Sequence, residues 1–156
     1  GGSRVLMKTE APRGLQRSDV YIGPPDLSGY TVQADLMGVK RKRNRPDMGL
    51  IAQRYTLDMQ GNHQRLQIRT WAAALRMAKT VDFPWEMEVW YTAKMRVDIE
   101  GGKAIVRGKV WRRDQAEPAQ WTITAEDPLP NGEGSPGIYG YSAGDIYYDN
   151  IRVTMD

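Results

Sequence analysis

The feature that most constrains the fold of this chain is the regular interruption of short β-prone runs by glycine and proline. The chain has 16 glycines and nine prolines, which fall mostly between runs rich in Val, Ile, Tyr, Trp and Thr. Residues 30–37 show the pattern well: Tyr30, Val32, Ala34 and Leu36 alternate with other residues, and Gly38 ends the run. Alternation with a period of two predicts a β-strand with one buried face.

The same pattern predicts about ten strands and no helix. The segment Trp71–Lys79 contains alanines, but it is short and lacks a capping residue, so we favour an extended conformation there. Parallel strands would need helical crossovers, which are missing, and the economical fold is an all-β, antiparallel two-sheet β-sandwich of jelly-roll type. We interpret residues 1–3 as a linker or cloning scar and residues 4–156 as a single domain.

Composition excludes several kinds of chemistry. The chain has no cysteine and one histidine, His63, which rules out disulfides, thiolate zinc sites, iron–sulfur clusters and sites with paired histidines. Carboxylate chemistry remains, as does binding by aromatic and polar side chains. No run of 18 apolar residues is present, so the sequence predicts no membrane span.

The basic character of the chain comes from one cluster. The net charge is +3, but residues 40–45 alone carry five positive charges, and without them the net charge is −2. No aromatic residue is interleaved with these charges and no nucleic-acid-binding motif accompanies them, so we predict a solvated hairpin tip rather than a nucleic-acid site. The functional alternative that we retain is contact with an acidic polysaccharide.

Five segments carry a resemblance to known families. Trp90–Val97 and Ile146–Val153 resemble strands of the concanavalin A-like lectin/glucanase (laminin G-like) domains. Gly49–Tyr55, Gly61–Leu66 and Asn131–Tyr139 resemble blocks of the C-terminal module of bacterial, planctomycete-type PQQ-binding-like β-propeller proteins. The resemblance implies a concanavalin A-like jelly roll, a sugar-related role, an extracellular or periplasmic location and a β-propeller in the parent chain. Members of this family usually begin with a further strand, which this chain lacks.

Exposed aromatic and polar residues point to a binding function. Five tryptophans and eight tyrosines accompany one phenylalanine, and Trp and Tyr suit half-wet surfaces better than Phe. We predict core positions for Trp90, Trp111 and Trp121, and exposure for the other two tryptophans. Our first hypothesis is a non-catalytic carbohydrate-binding module that holds a polysaccharide in a concave-face groove through the residues Gln53, Tyr55, Arg65, Arg69, Trp71 and Trp85.

Two alternatives remain open. One is a glycoside or 3-keto-glycoside hydrolase or lyase, with Glu86, Glu88, Asp58 or His63 as acid/base groups. The E-x-D-x-x-E motif of the laminarinase-type members is absent, so we favour a module without catalytic activity. The other alternative is a structural domain that docks on the β-propeller of its own chain.

The resemblance also implies a metal ion. Concanavalin A-like domains often hold a structural calcium with oxygen ligands, and Asp149 lies where some members place a ligand, with Asp145 nearby. We predict no other cofactor, and neither nucleic acid nor a membrane as partner.

Overall fold

A computed structural model describes residues 4–70 and 75–155. Within these residues the chain forms twelve β-strands and no helix, and therefore no helix that is long and apolar enough to cross a membrane. The strands are β1 (Leu6–Lys8), β2 (Arg17–Tyr21), β3 (Tyr30–Gly38), β4 (Asp47–Ala52), β5 (Tyr55–Gln60), β6 (Arg65–Thr70), β7 (Ala78–Asp82), β8 (Tyr91–Glu100), β9 (Lys103–Arg112), β10 (Ile123–Asp127), β11 (Gly137–Tyr141) and β12 (Ile146–Met155).

The strands form two six-stranded antiparallel sheets. The first sheet has the order β1-β12-β3-β8-β9-β10, and the second has the order β2-β11-β4-β5-β6-β7. Each sheet contains strands from both ends of the chain: β1 and β12 in the first sheet, β2 and β11 in the second. This arrangement is typical of a jelly roll. The predicted antiparallel β-sandwich is confirmed. Of the segment Trp71–Lys79, which we predicted to be extended, Ala78 and Lys79 lie in β7, residues 75–77 form neither helix nor strand, and residues 71–74 lie outside the described residues.

The core lies between the inner faces of the two sheets. Tyr30, Val32, Ala34 and Leu36 of β3 are all fully buried, as their alternation predicts. The sheets approach closely at Gly108 of the first sheet, where an added Cβ atom would lie 2.8 Å from the Leu57 side chain of the second. A glycine is needed there because a larger residue would push the layers apart.

The hairpin turns only partly follow the glycine pattern. Gly101-Gly102 forms a two-residue turn between β8 and β9. The pair Gly61-Asn62 also favours a two-residue turn, but four residues, 61–64, connect β5 to β6. At Gly61 an added Cβ atom would lie 2.3 Å from the Pro46 carbonyl oxygen, so close packing explains this glycine. Gln53 and Arg54, both with positive φ, form the two-residue turn between β4 and β5.

Trp85, which the sequence predicted to be exposed, is part of the core. It is 3% exposed, its Nε1 donates a hydrogen bond to the Gln60 carbonyl at 3.2 Å, and its ring meets Tyr91 edge-on at 6.1 Å. The buried indole N–H therefore has the partner that a core tryptophan needs. Trp85 is not available to stack on a ligand.

The tryptophans predicted to be in the core are half-buried. Trp111 pairs with Thr92 on the outer face of the first sheet, which explains its exposure. The guanidinium of Arg113 lies 4.5 Å from the centre of the Trp90 ring, and the ammonium of Lys109 lies 4.9 Å from that of Trp121. Long cationic side chains thus shield these indoles without taking them into the core.

Candidate functional site

The outer face of the second sheet carries the most unusual polar residues of the described structure. We call it the site face, and the strand register arranges its side chains in three rows. The first row is Tyr21, Gly137, Ile51, Thr56, Arg69 and Ala78; the second is Asp19, Tyr139, Gly49, Asp58, Gln67 and Thr80; the third is Arg17, Tyr141, Asp47, Gln60, Arg65 and Asp82.

A buried ion pair lies in the middle of the site face. Asp58 is 1% exposed, and its Oδ2 accepts a hydrogen bond from Arg69 Nη1 at 2.5 Å and one from Gln60 Nε2 at 3.2 Å. The Arg69 guanidinium also lies over the Tyr139 ring, 5.1 Å from its centre. Arg69 therefore neutralises Asp58 and has its own flat face covered.

Two buried carboxylate oxygens on this face have no hydrogen-bond donor. Neither Asp58 Oδ1 nor Asp19 Oδ1 accepts a hydrogen bond from any described residue. A buried acceptor without a donor costs about 1–3 kcal/mol, so such groups are rare in native structures. Both oxygens are enclosed by the surrounding protein atoms, so a ligand hydroxyl can reach either of them only after neighbouring side chains move.

Three carboxyl groups of the site face, those of Asp19, Asp47 and Asp58, have raised pKa values. Burial raises the pKa of Asp58, although Arg69 and Gln60 oppose the change. Burial and then the charge of Asp58 raise the pKa of Asp47 to about 7, against the hydrogen bond that its Oδ1 accepts from the Gly61 amide. Burial also raises the pKa of Asp19. Near neutral pH, therefore, Asp47 is divided between its carboxylate and carboxylic acid forms.

We expect Asp47 to make the protein less stable as the pH rises. Its pKa is higher in the folded chain than the ordinary value of 3.8, so the folded state binds more protons between pH 4 and 7, and the free energy of unfolding falls across that range. Asp47→Asn should remove about 2–4 kcal/mol of this pH dependence. Urea unfolding at pH 4.5 and 8 measures it, with Asp82→Asn, an exposed residue of the same row, as the control. A pH dependence that is unchanged in Asp47→Asn would contradict this account.

The site face continues into a cavity at each end. The first cavity, of about 530 Å³, lies at the row that begins with Tyr21, and the second, of about 380 Å³, lies at the row that contains Asp47. The first is lined by Tyr21, Pro25, Ile51, Arg54, Thr56, Thr70, Arg76, Asn131, Gly134 and Ser135. The second is lined by Arg13, Gln16, Asn44, Arg45, Asp47, Asn62, His63, Tyr141, Ser142 and Ala143.

A buried network supports the wall of the first cavity. Arg76 binds Asp127 through two hydrogen bonds of 2.7 Å, and the Tyr55 hydroxyl donates to Asp127 Oδ2 at 2.5 Å. The Asn131 amide in turn donates to the Tyr55 hydroxyl at 3.0 Å. Burial and Asp127 raise the pKa of Tyr55 to about 12. The loop that contains Asn131 is thus attached to the sheet through Tyr55, whose side chain lies in the core.

The structure brings together only part of the predicted binding set. Arg65 and Arg69 lie on the site face. Tyr55 is fully buried and faces the core, and Gln53 is 1% exposed, with its Oε1 accepting from the Gly29 amide; neither is on the site face. The connection of residues 61–64 pairs Gln60 with Arg65, so the even-numbered residues of β5 share a face with the odd-numbered residues of β6. Trp71 lies outside the described residues.

The four predicted acid/base residues are spread over different parts of the molecule. Asp58 is at the centre of the site face, and His63 is exposed and lines the second cavity. Glu86 and Glu88 belong to the connection between β7 and β8, and both are exposed. Glu86 forms an ion pair of 2.9 Å with Arg112 and lines a separate cavity. The structure therefore joins neither glutamate to Asp58.

The two residues predicted to bind calcium occupy separate positions along one extended segment. Asp145 Oδ1 accepts a hydrogen bond from the Glu10 amide at 3.0 Å, and Asp149 lies in β12 opposite Asp35. Because Asp145 and Asp149 are four positions apart in extended chain, their Cα atoms lie about 13 Å apart. Within residues 4–70 and 75–155, no group of three or more histidine, aspartate or glutamate residues is arranged to hold a metal ion. Calcium binding stays a prediction.

Sequence reasoning missed Asp19, Asp47 and Tyr139 as site residues. A usable signal was present for Asp19: in Arg17–Tyr21, polar and aromatic residues alternate with small or apolar ones, as in a short strand. Asp47 and Tyr139 carry no comparable local signal. Their importance depends on which strands become neighbours.

Comparisons with known proteins identify the fold. No protein-family model matches the sequence, and no curated protein matches it. The structure is similar to the carbohydrate binding module CBM66 from Bacillus subtilis (TM-score 0.67, 16% identity, 91% of this chain and 84% of that one). It is also similar to galectin LEC-6 from Caenorhabditis elegans (0.59, 10%, 95% and 95%) and to a legume lectin-like domain from Entamoeba histolytica (0.52, 8%, 97% and 90%). The fold is therefore that of jelly-roll lectins and carbohydrate-binding modules.

Proposed function

We propose that this protein is a non-catalytic carbohydrate-binding module that binds a polysaccharide on the site face. The observation that carries the proposal is the pair of buried oxygens without donors, Asp58 Oδ1 and Asp19 Oδ1. Sugars present a dense set of hydroxyl donors, and a hydrogen bond to a charged acceptor contributes about 1.5–3 kcal/mol. A sugar hydroxyl at either oxygen would remove the cost of leaving it without a donor, once the side chains that cover the oxygen have moved aside.

The neighbouring residues complete a surface suited to a sugar ring. Gly49 presents no side chain between Tyr139 and Asp58, because an added Cβ atom there would strike the Leu57 carbonyl oxygen. Beside Asp58 lies Gln67, whose amide is half-buried and bonded to Thr80 Oγ1 at 3.2 Å. Amide, carboxylate and guanidinium groups are thus neighbours on the site face, and these are the polar groups that give pockets their selectivity for hydroxyl-rich ligands.

The structural neighbours support this proposal through the fold alone. The names of CBM66, the galectin and the lectin-like domain describe sugar-binding proteins, but their identity to this chain is at most 16%. The extracellular or periplasmic location and the attachment to a β-propeller rest on the sequence resemblance and stay predictions.

Replacing Asp19 by asparagine tests the proposed site. Asparagine keeps the shape but loses the charge, so we expect affinity for the bound glycan to fall about 10- to 100-fold while the fold is kept. Affinity electrophoresis against plant, algal and microbial polysaccharides identifies the ligand, and calorimetry compares the variants. Asp98→Asn, on the outer face of the first sheet, is the matched control.

Two outcomes would overturn the proposal: no polysaccharide binds, or Asp19→Asn binds as tightly as the unchanged protein.

Repeating the electrophoresis with EDTA tests calcium, since a calcium-dependent site would lose its ligand. Trp71→Ala in the same series tests the predicted stacking residue.

A second candidate function is cleavage of a glycosidic bond. It is favoured by Asp47, whose pKa of about 7 suits a general acid, and by the neighbouring Asp58 carboxyl group. Assays for released sugars on every bound polysaccharide test it. Release that disappears in both Asp47→Asn and Asp58→Asn would establish the enzyme, whereas release that survives in both would remove these residues from the mechanism.

A further inference from the structure

The basic run of residues 40–45 is held in a defined shape and keeps most of its charges unpaired. The amide of Arg41 donates to the Asn44 carbonyl at 3.0 Å, and the amide of Asn44 donates to the Arg41 carbonyl at 2.9 Å. Arg41 forms an ion pair with Glu10 at 2.5 Å. The other four cations, Lys40, Lys42, Arg43 and Arg45, form no ion pair with any residue of the described ranges. Such a fixed, uncompensated cluster attracts anions.

This run forms one wall of the second cavity. Arg45 lines the cavity together with Arg13 and His63, and Arg13 also has no ion pair among the described residues. The Arg45 amide donates to Asn62 Oδ1 at 3.0 Å, which attaches the run to the connection between β5 and β6. The cavity therefore combines two unpaired guanidinium groups with a fixed backbone, the arrangement that binds carboxylate or sulfate.

The second cavity is continuous with the site face. Asp47 and Tyr141 belong to the third row of the site face, and both line the cavity. Asp47 is the only carboxyl group among the lining residues, and its pKa of about 7 leaves it largely protonated at mildly acidic pH, where it repels an anion less. A chain bound on the site face can therefore extend into the cavity.

We propose that the ligand is an acidic polysaccharide, with neutral parts of the sugar rings on the site face and a carboxylate or sulfate group between Arg13 and Arg45 in the second cavity. This inference rests on the proposed function and adds the class of ligand to it. Sulfate and uronate share the chemistry that the two arginines recognise, and the experiment separates them.

The site face itself argues against nucleic acid as the ligand. Asp19, Asp58 and Asp82 lie on the same face. The three arginines of this face, Arg17, Arg65 and Arg69, balance these carboxylates, so the face offers no net positive charge to a backbone that carries a phosphate at every nucleotide. An acidic polysaccharide can place its anions in the cavity and its hydroxyl groups on these carboxylates.

The experiment compares charged polymers with their neutral counterparts. Calorimetry is carried out at about 50 mM and about 300 mM salt, because the higher concentration screens charges more strongly. It compares polygalacturonate with its carboxyl-reduced form, and a sulfated galactan with its desulfated form. We expect at least one charged polymer to bind about tenfold more tightly than its neutral form, and the difference to shrink at high salt. Arg13→Gln with Arg45→Gln should abolish the difference. Lys79→Gln with Arg152→Gln removes two exposed positive charges elsewhere and is the matched control.

The outcomes separate this inference from the proposed function. Equal binding of charged and neutral forms would overturn the inference and leave the carbohydrate-binding proposal standing. Failure of all four polymers and of the wider glycan panel would overturn both. The control variant could lose as much affinity as the double arginine variant, or a short DNA duplex could bind as tightly as the charged polymer. Either result would show unspecific attraction of polyanions and would also overturn the inference. Binding of only one charged polymer identifies the anion.

Discussion

Arg69→Met is expected to lower the free energy of unfolding by about 3–5 kcal/mol at pH 8, because it leaves Asp58 buried and without its cation. At pH 5 the loss should be smaller, because burial raises the pKa of Asp58 and the carboxyl group can take up a proton once Arg69 is gone. Urea unfolding at both pH values measures the two losses. The double variant Asp58→Leu with Arg69→Met should recover most of the stability, since no buried charge remains.

Arg107→Met is the matched control for this prediction. Arg107 donates to Asp98 at 3.1 Å, but the two side chains are 28% and 25% exposed, against 11% and 2% for Arg69 and Asp58. An exposed ion pair contributes about 0–1 kcal/mol. If both variants lost the same free energy, burial of the Asp58–Arg69 pair would not be what makes it important.

Gly49→Ala is expected to be the most damaging single-methyl substitution on the site face. An added Cβ atom would lie 1.8 Å from the Leu57 carbonyl oxygen and 2.9 Å from the Leu57 carbonyl carbon, so β4 and β5 would have to separate. Because the obstacle is backbone, a side-chain rotation cannot relieve it, and we expect a loss of about 3 kcal/mol or more. Soluble yield, circular dichroism and urea unfolding measure the effect.

Gly132→Ala provides the control for Gly49→Ala. An added Cβ atom at Gly132 would meet no atom within 4 Å, so the change in unfolding free energy should stay within about 0.5 kcal/mol. A Gly49→Ala protein as stable as Gly132→Ala would contradict the close contact between β4 and β5.

Local patterns in the sequence were enough to predict most strands and much of the core. The alternation of Tyr30, Val32, Ala34 and Leu36 depends only on the period of a strand, and all four are buried. Register is different, because it depends on the length of each connection. The four-residue connection between β5 and β6 pairs Gln60 with Arg65, and this places Tyr55 in the core rather than on the site face.

The candidate site could be predicted only in part because its members come from distant parts of the chain. Asp19 and Asp58 are 39 positions apart and belong to β2 and β5, which β11 and β4 separate in the sheet. Whether a charged residue is buried depends on such neighbours and not on its own segment. The predicted exposure of Trp85 was wrong for the same reason. The buried indole N–H of Trp85 has its partner, the Gln60 carbonyl, in β5, which is a distant part of the chain.

The most direct test of the site face is two-dimensional NMR of the ¹⁵N-labelled protein, titrated with an oligosaccharide of whichever polysaccharide the affinity electrophoresis retains. We expect the largest shifts at the amides of Gly49, Asp58, Gln67 and Tyr139, which lie in the second row of the site face. The amides around Trp111, on the outer face of the first sheet, should not move. Shifts confined to the first sheet, with the second row unchanged, would contradict the assignment of the site face as the sugar-binding surface.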